Sequence, residues 1–370
     1  MKKVLATAAV FSLFIGAGSV SAATLTDVET LGKDIYNSTF MSYNETQSCA
    51  SCHSPFSGFA DPDNLLDPVN SMVSVGADGV STGGRNAPSA AYAGFSPMLH
   101  LDQSGEYVGG MFWDGRATGH TLHDPLAEQA QGPPLNPVEM NMPSKDAIIA
   151  SLAKDPAISS DYFKVYNEDL SDPNLDVDVA YDNIARAIAA FERSFEVTRF
   201  TSVFDTQKLK GKAAQGKTLF MQNCTTCHAY GRHGGADALF TNYKYVNAGL
   251  PENDKLLAIC EADPTLNCNY APPDLGLGIT VGDPVVGDPA QNGKFKVPTL
   301  RNVARTAPYS HNGYFASLKE MVSFMNNNSG YIPEVSENVY NRNFGLSEDD
   351  INAIVAFLET LTDVPYPTAP

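Results

Sequence analysis

The chain has 370 residues, of which 43% are hydrophobic and 18% are charged, with 29 glycines and 24 prolines. This length predicts two domains, and the glycines and prolines predict many ordered loops. The net charge of −18 argues against binding to nucleic acid or to an anionic membrane, and it favours a basic or neutral partner.

The N-terminal segment 1–22 has the pattern of a secretory signal peptide. Two lysines precede an apolar stretch, and a run of small residues ends at Ala22, where cleavage is expected. An uncleaved membrane anchor is less favoured, because glycines and serines interrupt the apolar stretch and a spanning helix needs about 20 apolar residues. We therefore expect an exported, periplasmic protein that has no membrane span.

Each half of the remaining chain contains one Cys-x-x-Cys-His motif. The motifs consist of Cys49, Cys52 and His53 in QSCASCHSP, and of Cys224, Cys227 and His228 in QNCTTCHAY. This motif attaches c-type haem, because the thiols add to the haem vinyl groups and the histidine is placed to ligate the iron. A single copy can also be a redox-active dithiol. Two copies on an exported chain predict two covalently attached c-type haems.

The sequence around the motifs repeats as well. Segments 30–40 and 213–223, which precede the motifs, each contain Gly-Lys followed by an aromatic residue at helical spacing. Segments 181–195 and 346–361 have apolar residues at i, i+3, i+4 and i+7, which is typical of amphipathic helices. Each half therefore reads as a helix, a haem-binding turn, long loops and a closing helix.

This pattern predicts a mainly α fold with two cytochrome c-like domains and long ordered loops. We place the first domain at 23–204 and the second at 205–370. The region 54–145 is rich in turns and has few periodic apolar segments. Because loops of this length are usually functional, we expect this region to line the pocket of the first haem.

Two cysteines lie outside the haem motifs. Cys260 and Cys268 flank a short loop, and in an exported protein such a pair predicts a local disulfide. A metal site is the less favoured alternative, because no histidine lies near this pair in the sequence.

Four segments carry a more specific pattern. They are GGRNAPS (83–89), FWDGRA (112–117), EQAQGPPLNPVEM (128–140) and FKVPTLRNVARTAPYSHNG (295–313). With two haem motifs in this order, nearly the whole mature chain resembles the bacterial di-haem cytochrome c peroxidase family, which includes the MauG-like enzymes. The resemblance implies that peroxide reacts at the first haem and that the second haem passes electrons.

The resemblance also implies a set of residues on the vacant face of the first haem iron. These match Gln129, Pro133 and Glu139 in this sequence. Glu139 is the expected general acid–base, because an apolar pocket would raise its pKa toward neutrality. Gln129 is expected to hydrogen-bond the bound peroxide or water. Without the resemblance, Glu139 would be read as a solvated loop carboxylate.

Many family members place a distal histidine on the first haem iron. No histidine occurs between His53 and His100 in this chain, so the first haem is expected to be five-coordinate or water-bound in the resting protein. Met72 and His100 are the alternative ligands.

The second haem is expected to have His228 and Met325 as its axial ligands, by position in the family pattern. His/Met ligation raises the reduction potential of a c-type haem, so electrons from a donor would be accepted easily. Met321, one helical turn earlier, is the alternative ligand, and Met325 can also be read as a core residue. Arg85 and Arg301 are candidates for pairing with haem propionates.

Two further roles follow from the resemblance. Trp113, the only tryptophan in the chain, is expected either to relay electrons between the haems or to pack near the first haem. A calcium ion is expected between the domains, held by the side chain of Asn86 and the backbone carbonyls of Thr306 and Pro308. Oxygen ligands completed by water suit this ion.

The leading functional hypothesis is a peroxidase that reduces hydrogen peroxide to water, with electrons from a small exported cytochrome or copper protein. The alternative is a MauG-like oxidase that uses peroxide to oxidise Tyr or Trp side chains of a partner protein. The absent distal histidine favours this alternative, whereas Met325 opposes it, because MauG has a tyrosine there. A plain di-haem electron carrier is the third hypothesis. A homodimer is compatible with the sequence.

Overall fold

The computed structural model describes residues 24–230, 238–262, 267–283 and 285–365. The first half contains helices α1 (Asp27–Asn37), α2 (Cys49–Cys52), α3 (Pro62–Leu66), α4 (Pro125–Ala130), α5 (Gly132–Leu135), α6 (Lys145–Leu152), α7 (Pro156–Tyr166) and α8 (Val177–Arg193). The second half contains α9 (Val203–Thr206), α10 (Gly211–Asn223), α11 (Asp254–Ala262), α12 (Leu318–Asn326) and α13 (Glu348–Glu359). The prediction of a mainly helical fold is confirmed.

The remaining regular structure is short. Strands β1 (His100–Leu101) and β2 (Tyr107–Val108) pair antiparallel, as do β3 (Tyr245–Val246) and β4 (Phe295–Lys296). Single 3₁₀ turns occupy Thr39–Met41, Pro55–Ser57, Ala93–Phe95, Leu277–Ile279, Pro289–Gln291 and Val303–Arg305. The loops between these elements are held by hydrogen bonds such as that from Ala77 N to the Glu139 carbonyl, at 2.7 Å.

The four repeated segments of the sequence form two equivalent helix pairs. Helix α1 packs on α8, and α10 packs on α13. At each crossing lies the glycine of the Gly-Lys pair, Gly32 or Gly216. A Cβ atom at either position would overlap the backbone carbonyl of Ala187 or Ala353 on the partner helix. The repeat therefore encodes a close approach of two helix backbones in each half, for which only glycine has room.

Two main hydrophobic clusters correspond to the two halves. The first is built from residues between Leu31 and Val197, and the second from residues between Phe220 and Leu361. Leu239 and Tyr243 from the second half are buried in the first cluster, so the halves share part of a core. The boundary at residue 204 stays a prediction.

The expected signal peptide lies outside the described residues. Among the helices that the structure describes, none has the length and apolarity needed to cross a membrane. Cys260 and Cys268 form a disulfide, with their Cα atoms 5.5 Å apart.

Candidate haem sites

The first Cys-x-x-Cys-His motif folds into a single helical turn, α2, with the histidine directly after it. This turn brings the sulfurs of Cys49 and Cys52 and the imidazole of His53 to one location, and the His53 amide donates to the Cys49 carbonyl at 2.9 Å. His53 Nδ1 lies 3.1 Å from the carbonyl of Phe59, to which it can donate. The Nε2 atom is then the nitrogen left to bind a metal.

The second motif has the same local geometry. The amide of His228 donates to the carbonyl of Cys224 at 2.9 Å, and His228 Nδ1 lies 2.8 Å from the carbonyl of Phe240. Burial lowers the pKa of both His53 and His228, so that each imidazole is neutral near pH 7, the form that ligates iron. The donor set and its orientation fit covalently attached haem at both motifs.

A large and mostly apolar cavity adjoins the second motif. Cys224, Cys227 and His228 line it together with Met321 and Met325 of α12. Both methionines line the same cavity, so both remain candidates for the second axial ligand. The sulfur of Met325 also lies 3.1 Å from Arg342 Nη2.

Arg301 supports the fit of a haem in this cavity. The side chain lines the cavity and is only 1% exposed. Its Nη1 atom donates to Asp205 at 2.6 Å, whereas its buried Nη2 atom has no hydrogen-bond partner among the described residues. A buried donor without an acceptor is costly, and a haem propionate would supply the acceptor. The predicted role of Arg301 is therefore compatible with its surroundings.

Arg85 is already paired. It donates to Asp114 at 2.6 Å and to Asp274 at 2.7 Å, and all three side chains are largely buried. Because Asp274 lies in the second half, this triad joins the two halves. Arg85 is better placed to hold them together than to bind a propionate.

The predicted proton-transfer residues lie on the segment that contains α4 and α5. Gln129 is in α4, Pro133 is in α5, and Glu139 follows in the loop. Burial raises the pKa of Glu139, opposed by a hydrogen bond of 2.7 Å from Asn136 Nδ2 and by the charge of Arg116.

The carboxylate of Glu139 is close to the first motif. Burial is the main cause that raises the pKa of Cys52, to about 12, and the nearby carboxylates of Asp61 and Glu139 contribute. Glu139 also contributes, after burial and other charges, to the raised pKa of Cys49. Glu139 therefore lies within electrostatic range of both sulfurs that would carry the first haem.

Sequence reasoning missed Asn136 and Arg116. Asn136 precedes Glu139 by three residues in an Asn-Pro turn, and such turns hold side chains near the following backbone, which was a usable signal. Arg116 belongs to the FWDGRA segment, and its guanidinium stacks 3.6 Å from the centre of the Phe112 ring.

The alternative ligands for the first haem are engaged elsewhere. The sulfur of Met72 accepts a hydrogen bond from Asn253 Nδ2 at 3.2 Å, in a small cluster with residues of the second half. His100 is exposed on β1, where its Nδ1 atom lies 2.8 Å from the carbonyl of Met98. The open face of the first haem stays a prediction.

Trp113 lies next to the cavity of the second motif. It lines that cavity, and its indole Nε1 donates to the carbonyl of Asn86 at 2.9 Å. The adjacent Phe112 ring packs against Gly132, directly before Pro133. Phe112 and Trp113 therefore connect the segment that contains Pro133 with the second cavity.

The predicted calcium ligands come from both halves of the chain. Asn86, Thr306 and Pro308 all line the second cavity. Asn86 is buried and joins the two halves, since its backbone N–H donates to the carbonyl of His311 at 2.7 Å. Within the described ranges, no three His, Cys, Asp or Glu side chains form a metal site. The predicted calcium site would instead use an amide oxygen and two backbone carbonyls.

The chain is mainly helical and contains two Cys-x-x-Cys-His motifs, each with a histidine oriented to ligate iron. These are the features of a di-haem protein. Residues 26–214 match the family model described as di-haem cytochrome c peroxidase. The chain belongs to this di-haem cytochrome c peroxidase family, and it is an oxidoreductase of the cytochrome c peroxidase type.

Individual relatives agree with this assignment. The methylamine utilization protein MauG of Paracoccus denitrificans is 39% identical over 362 residues, which cover 91% of this chain and 88% of that protein. The cytochrome c peroxidase Ccp of Escherichia coli is 31% identical over 345 residues, covering 91% of this chain and 58% of that protein. The crystal structure of the diheme peroxidase BthA from Burkholderia thailandensis is similar with a TM-score of 0.75 and 28% identity, covering 92% of this chain and 88% of that one.

Proposed function

We propose that the protein reduces hydrogen peroxide to water in the periplasm, at the first haem site, with electrons received through the second. The observation that supports this proposal is the inequality of the two sites. A carboxylate of raised pKa, Glu139, accompanies the first motif, whereas the thioether sulfurs of Met321 and Met325 face the cavity of the second. A proton-transfer group suits a haem at which peroxide is cleaved, and a sulfur ligand suits a haem that transfers electrons.

Bound haem would supply peroxide binding at the first site and one-electron transfer at the second. His53 and His228 would each present Nε2 to an iron, held in orientation by the Nδ1 contact to a backbone carbonyl. Met325 would complete the coordination of the second iron, with Met321 as the alternative.

Glu139 would move one proton between the peroxide oxygens. The carboxylate takes the proton from one oxygen and returns it to the other, which leaves as water when the O–O bond breaks. A carboxyl group with a raised pKa performs both steps near neutral pH. Gln129 would orient the peroxide, and Pro133 would shape the turn. Reduction of one peroxide to two waters consumes two protons and two electrons in total.

We further propose that Trp113 relays electrons between the sites. Its position beside the second cavity, with Phe112 reaching toward Gly132, supports this role over packing near the first haem alone. Calcium held by Asn86 and the carbonyls of Thr306 and Pro308 would fix the separation of the halves. The acidic net charge would speed docking of a basic cytochrome or copper protein as the donor.

The test is steady-state turnover of the holoprotein with peroxide and a reduced small cytochrome c, combined with the spectrum of the resting ferric protein. We expect sustained oxidation of the donor and one high-spin and one low-spin haem. Two low-spin haems and no reaction with peroxide would refute the peroxidase proposal and leave the hypothesis of a plain di-haem electron carrier.

A second candidate is the MauG-like oxidase, which takes electrons from Tyr or Trp side chains of a partner protein. The 39% identity to the MauG of Paracoccus denitrificans and the lack of a histidine between His53 and His100 favour it. Met325 in place of tyrosine opposes it. Rapid reaction with peroxide but negligible turnover with cytochrome or copper donors would select this candidate.

A further inference from the structure

A buried guanidinium contacts the sulfur proposed to ligate the second haem. Arg342 is 7% exposed, and its Nη2 atom lies 3.1 Å from the sulfur of Met325. The Nε atom of the same side chain donates to the Met325 carbonyl at 2.9 Å. One arginine therefore holds both the backbone and the side chain of Met325.

The other donors of this guanidinium also meet uncharged acceptors. Nη1 donates to the carbonyls of Ala248 and Tyr340, each at 2.9 Å, and Nη2 lies 3.3 Å from the carbonyl of Phe324. The five N–H groups of an arginine are thus all matched. In the described part of the chain, Arg342 forms no ion pair with a carboxylate. Its charge is buried without a counter-charge.

Burying a charge without a partner costs free energy. If Arg342 served the fold alone, other interactions of its side chain would have to offset that cost. Part of the offset is clear, because Phe324 and Met325 lie in the last turn of α12, where a cation interacts favourably with the helix dipole. The contact with the Met325 sulfur is not explained in this way, because a thioether is a weak acceptor that needs no partner.

We propose that Arg342 positions the Met325 sulfur for the second haem iron and raises the reduction potential of that haem; this inference rests on the proposed His228/Met325 ligation. A thioether sulfur has two lone pairs, so one can face the iron while the other accepts from Nη2. The hydrogen bond withdraws electron density from the sulfur. The fixed positive charge disfavours the ferric state, which carries one more positive charge than the ferrous state.

The guanidinium group of an arginine stays protonated at neutral pH. The effect on the haem is therefore constant over the working range. Salt screens it little, because the side chain is buried. A second haem with a raised reduction potential would accept electrons more readily from a weakly reducing donor.

The experiment compares the potentials of the second haem in holoproteins by spectroelectrochemical titration. Arg342→Gln and Arg342→Met remove the charge, and Arg342→Lys retains it without the planar fork. Lys319→Gln is the matched control, because it removes one positive charge from an exposed position on α12, the helix that carries Met325. The near-infrared charge-transfer band of methionine-ligated ferric haem reports whether a methionine ligates the iron in each variant; Met325→Leu should abolish this band and Met321→Leu should retain it.

We expect the neutral variants to lower the equilibrium constant for reduction of the second haem about tenfold, which equals 59 mV for a one-electron couple. Loss of the methionine band in the neutral variants, with the band retained in Arg342→Lys, would support the positioning role. The lysine variant should have a potential between those of the wild type and the neutral variants. Lys319→Gln should match the wild type.

The contrary outcomes are distinct. A wild-type potential in a neutral variant that retains the methionine band would overturn the inference and leave the proposed ligation intact. Failure of both neutral variants to yield folded holoprotein would assign Arg342 to fold stability alone. Absence of the methionine band from the wild type would refute the His228/Met325 proposal itself, and the inference with it.

Discussion

Replacement of Glu139 by glutamine removes the proposed proton carrier while it retains the shape of the side chain. The amide can still accept the hydrogen bond that Asn136 Nδ2 donates at 2.7 Å. It cannot take up a proton at neutral pH. Positioned general acid–base groups contribute about 10²–10⁴ in rate, and each tenfold corresponds to about 1.4 kcal/mol. We therefore expect Glu139→Gln to slow the reaction with peroxide by that factor, a barrier increase of about 3–5 kcal/mol.

The rate of the reaction with peroxide should also depend on pH, and the direction of that dependence can be predicted. Glu139 must be ionised to accept the first proton, so the rate should rise with pH through its pKa and level off above it. Burial raises this pKa, so the rise should occur at higher pH than for an exposed carboxylate. Asn136→Ala removes a hydrogen bond that stabilises the ionised form and should move the rise to still higher pH. Glu139→Gln should abolish it.

The assay is rapid mixing of the resting holoprotein with hydrogen peroxide, followed at the absorption of the first haem across a pH series. Glu45→Gln is the control. It removes the same charge from an exposed side chain near this segment, whose partner Lys154 lies 3.4 Å away on the surface. An unchanged rate in Glu139→Gln, with the pH rise retained, would show that another group carries the proton.

Four further predictions follow from single contacts. Gly216→Ala should lower the free energy of unfolding by about 1–3 kcal/mol, because the new methyl group meets the Ala353 carbonyl; chemical denaturation measures this, and an unchanged midpoint would mean that α10 and α13 adjust freely. Burial raises the pKa of Glu192 to about 8, so wild-type stability should fall between about pH 4.5 and pH 8 by up to about 5 kcal/mol. Glu192→Gln should flatten that dependence in denaturation series, and an unchanged slope would assign the dependence to other groups. Trp113→Phe keeps an aromatic ring but loses the hydrogen bond to the Asn86 carbonyl; it should slow oxidation of the second haem after peroxide is mixed without slowing the reaction at the first, and equal rates would refute the relay. Asn86→Ala should abolish the stabilisation that calcium gives the wild type, about 2.7 kcal/mol at one hundred times Kd, as measured by thermal unfolding with and without chelator; an equal calcium response in both proteins would exclude this ligand.

The local parts of both sites could be predicted from the sequence because they depend on a few consecutive residues. One helical turn brings Cys49, Cys52 and His53 together whatever surrounds it. The crossing glycines Gly32 and Gly216 were visible as a repeated Gly-Lys pair at helical spacing. The helix boundaries were less accurate. Helix α8 begins earlier than the apolar pattern indicated, at Val177, because Asp176 caps it.

The contacts that distinguish the two sites were not predictable, because they join residues far apart in the sequence. Arg342 reaches Met325 from a separate loop, and its own segment contains no recognisable motif. Arg85 could be read as a propionate partner until the structure paired it with Asp114 and Asp274. Such pairings depend on how long loops fold over one another, which neither periodicity nor spacing encodes.

The two motifs are alike in everything close to the histidine. Each imidazole is partly buried and neutral near pH 7, and each has its Nδ1 atom against a backbone carbonyl. The proximal side therefore cannot assign one haem to chemistry and the other to electron transfer. Under the proposed function, the difference would arise from Glu139, a titratable carboxyl near the first motif, and from the sulfur of Met325, which the buried Arg342 holds beside the second. It follows that exchanging the two pentapeptides should leave the division of roles unchanged, whereas changes at Glu139 or Arg342 should alter it.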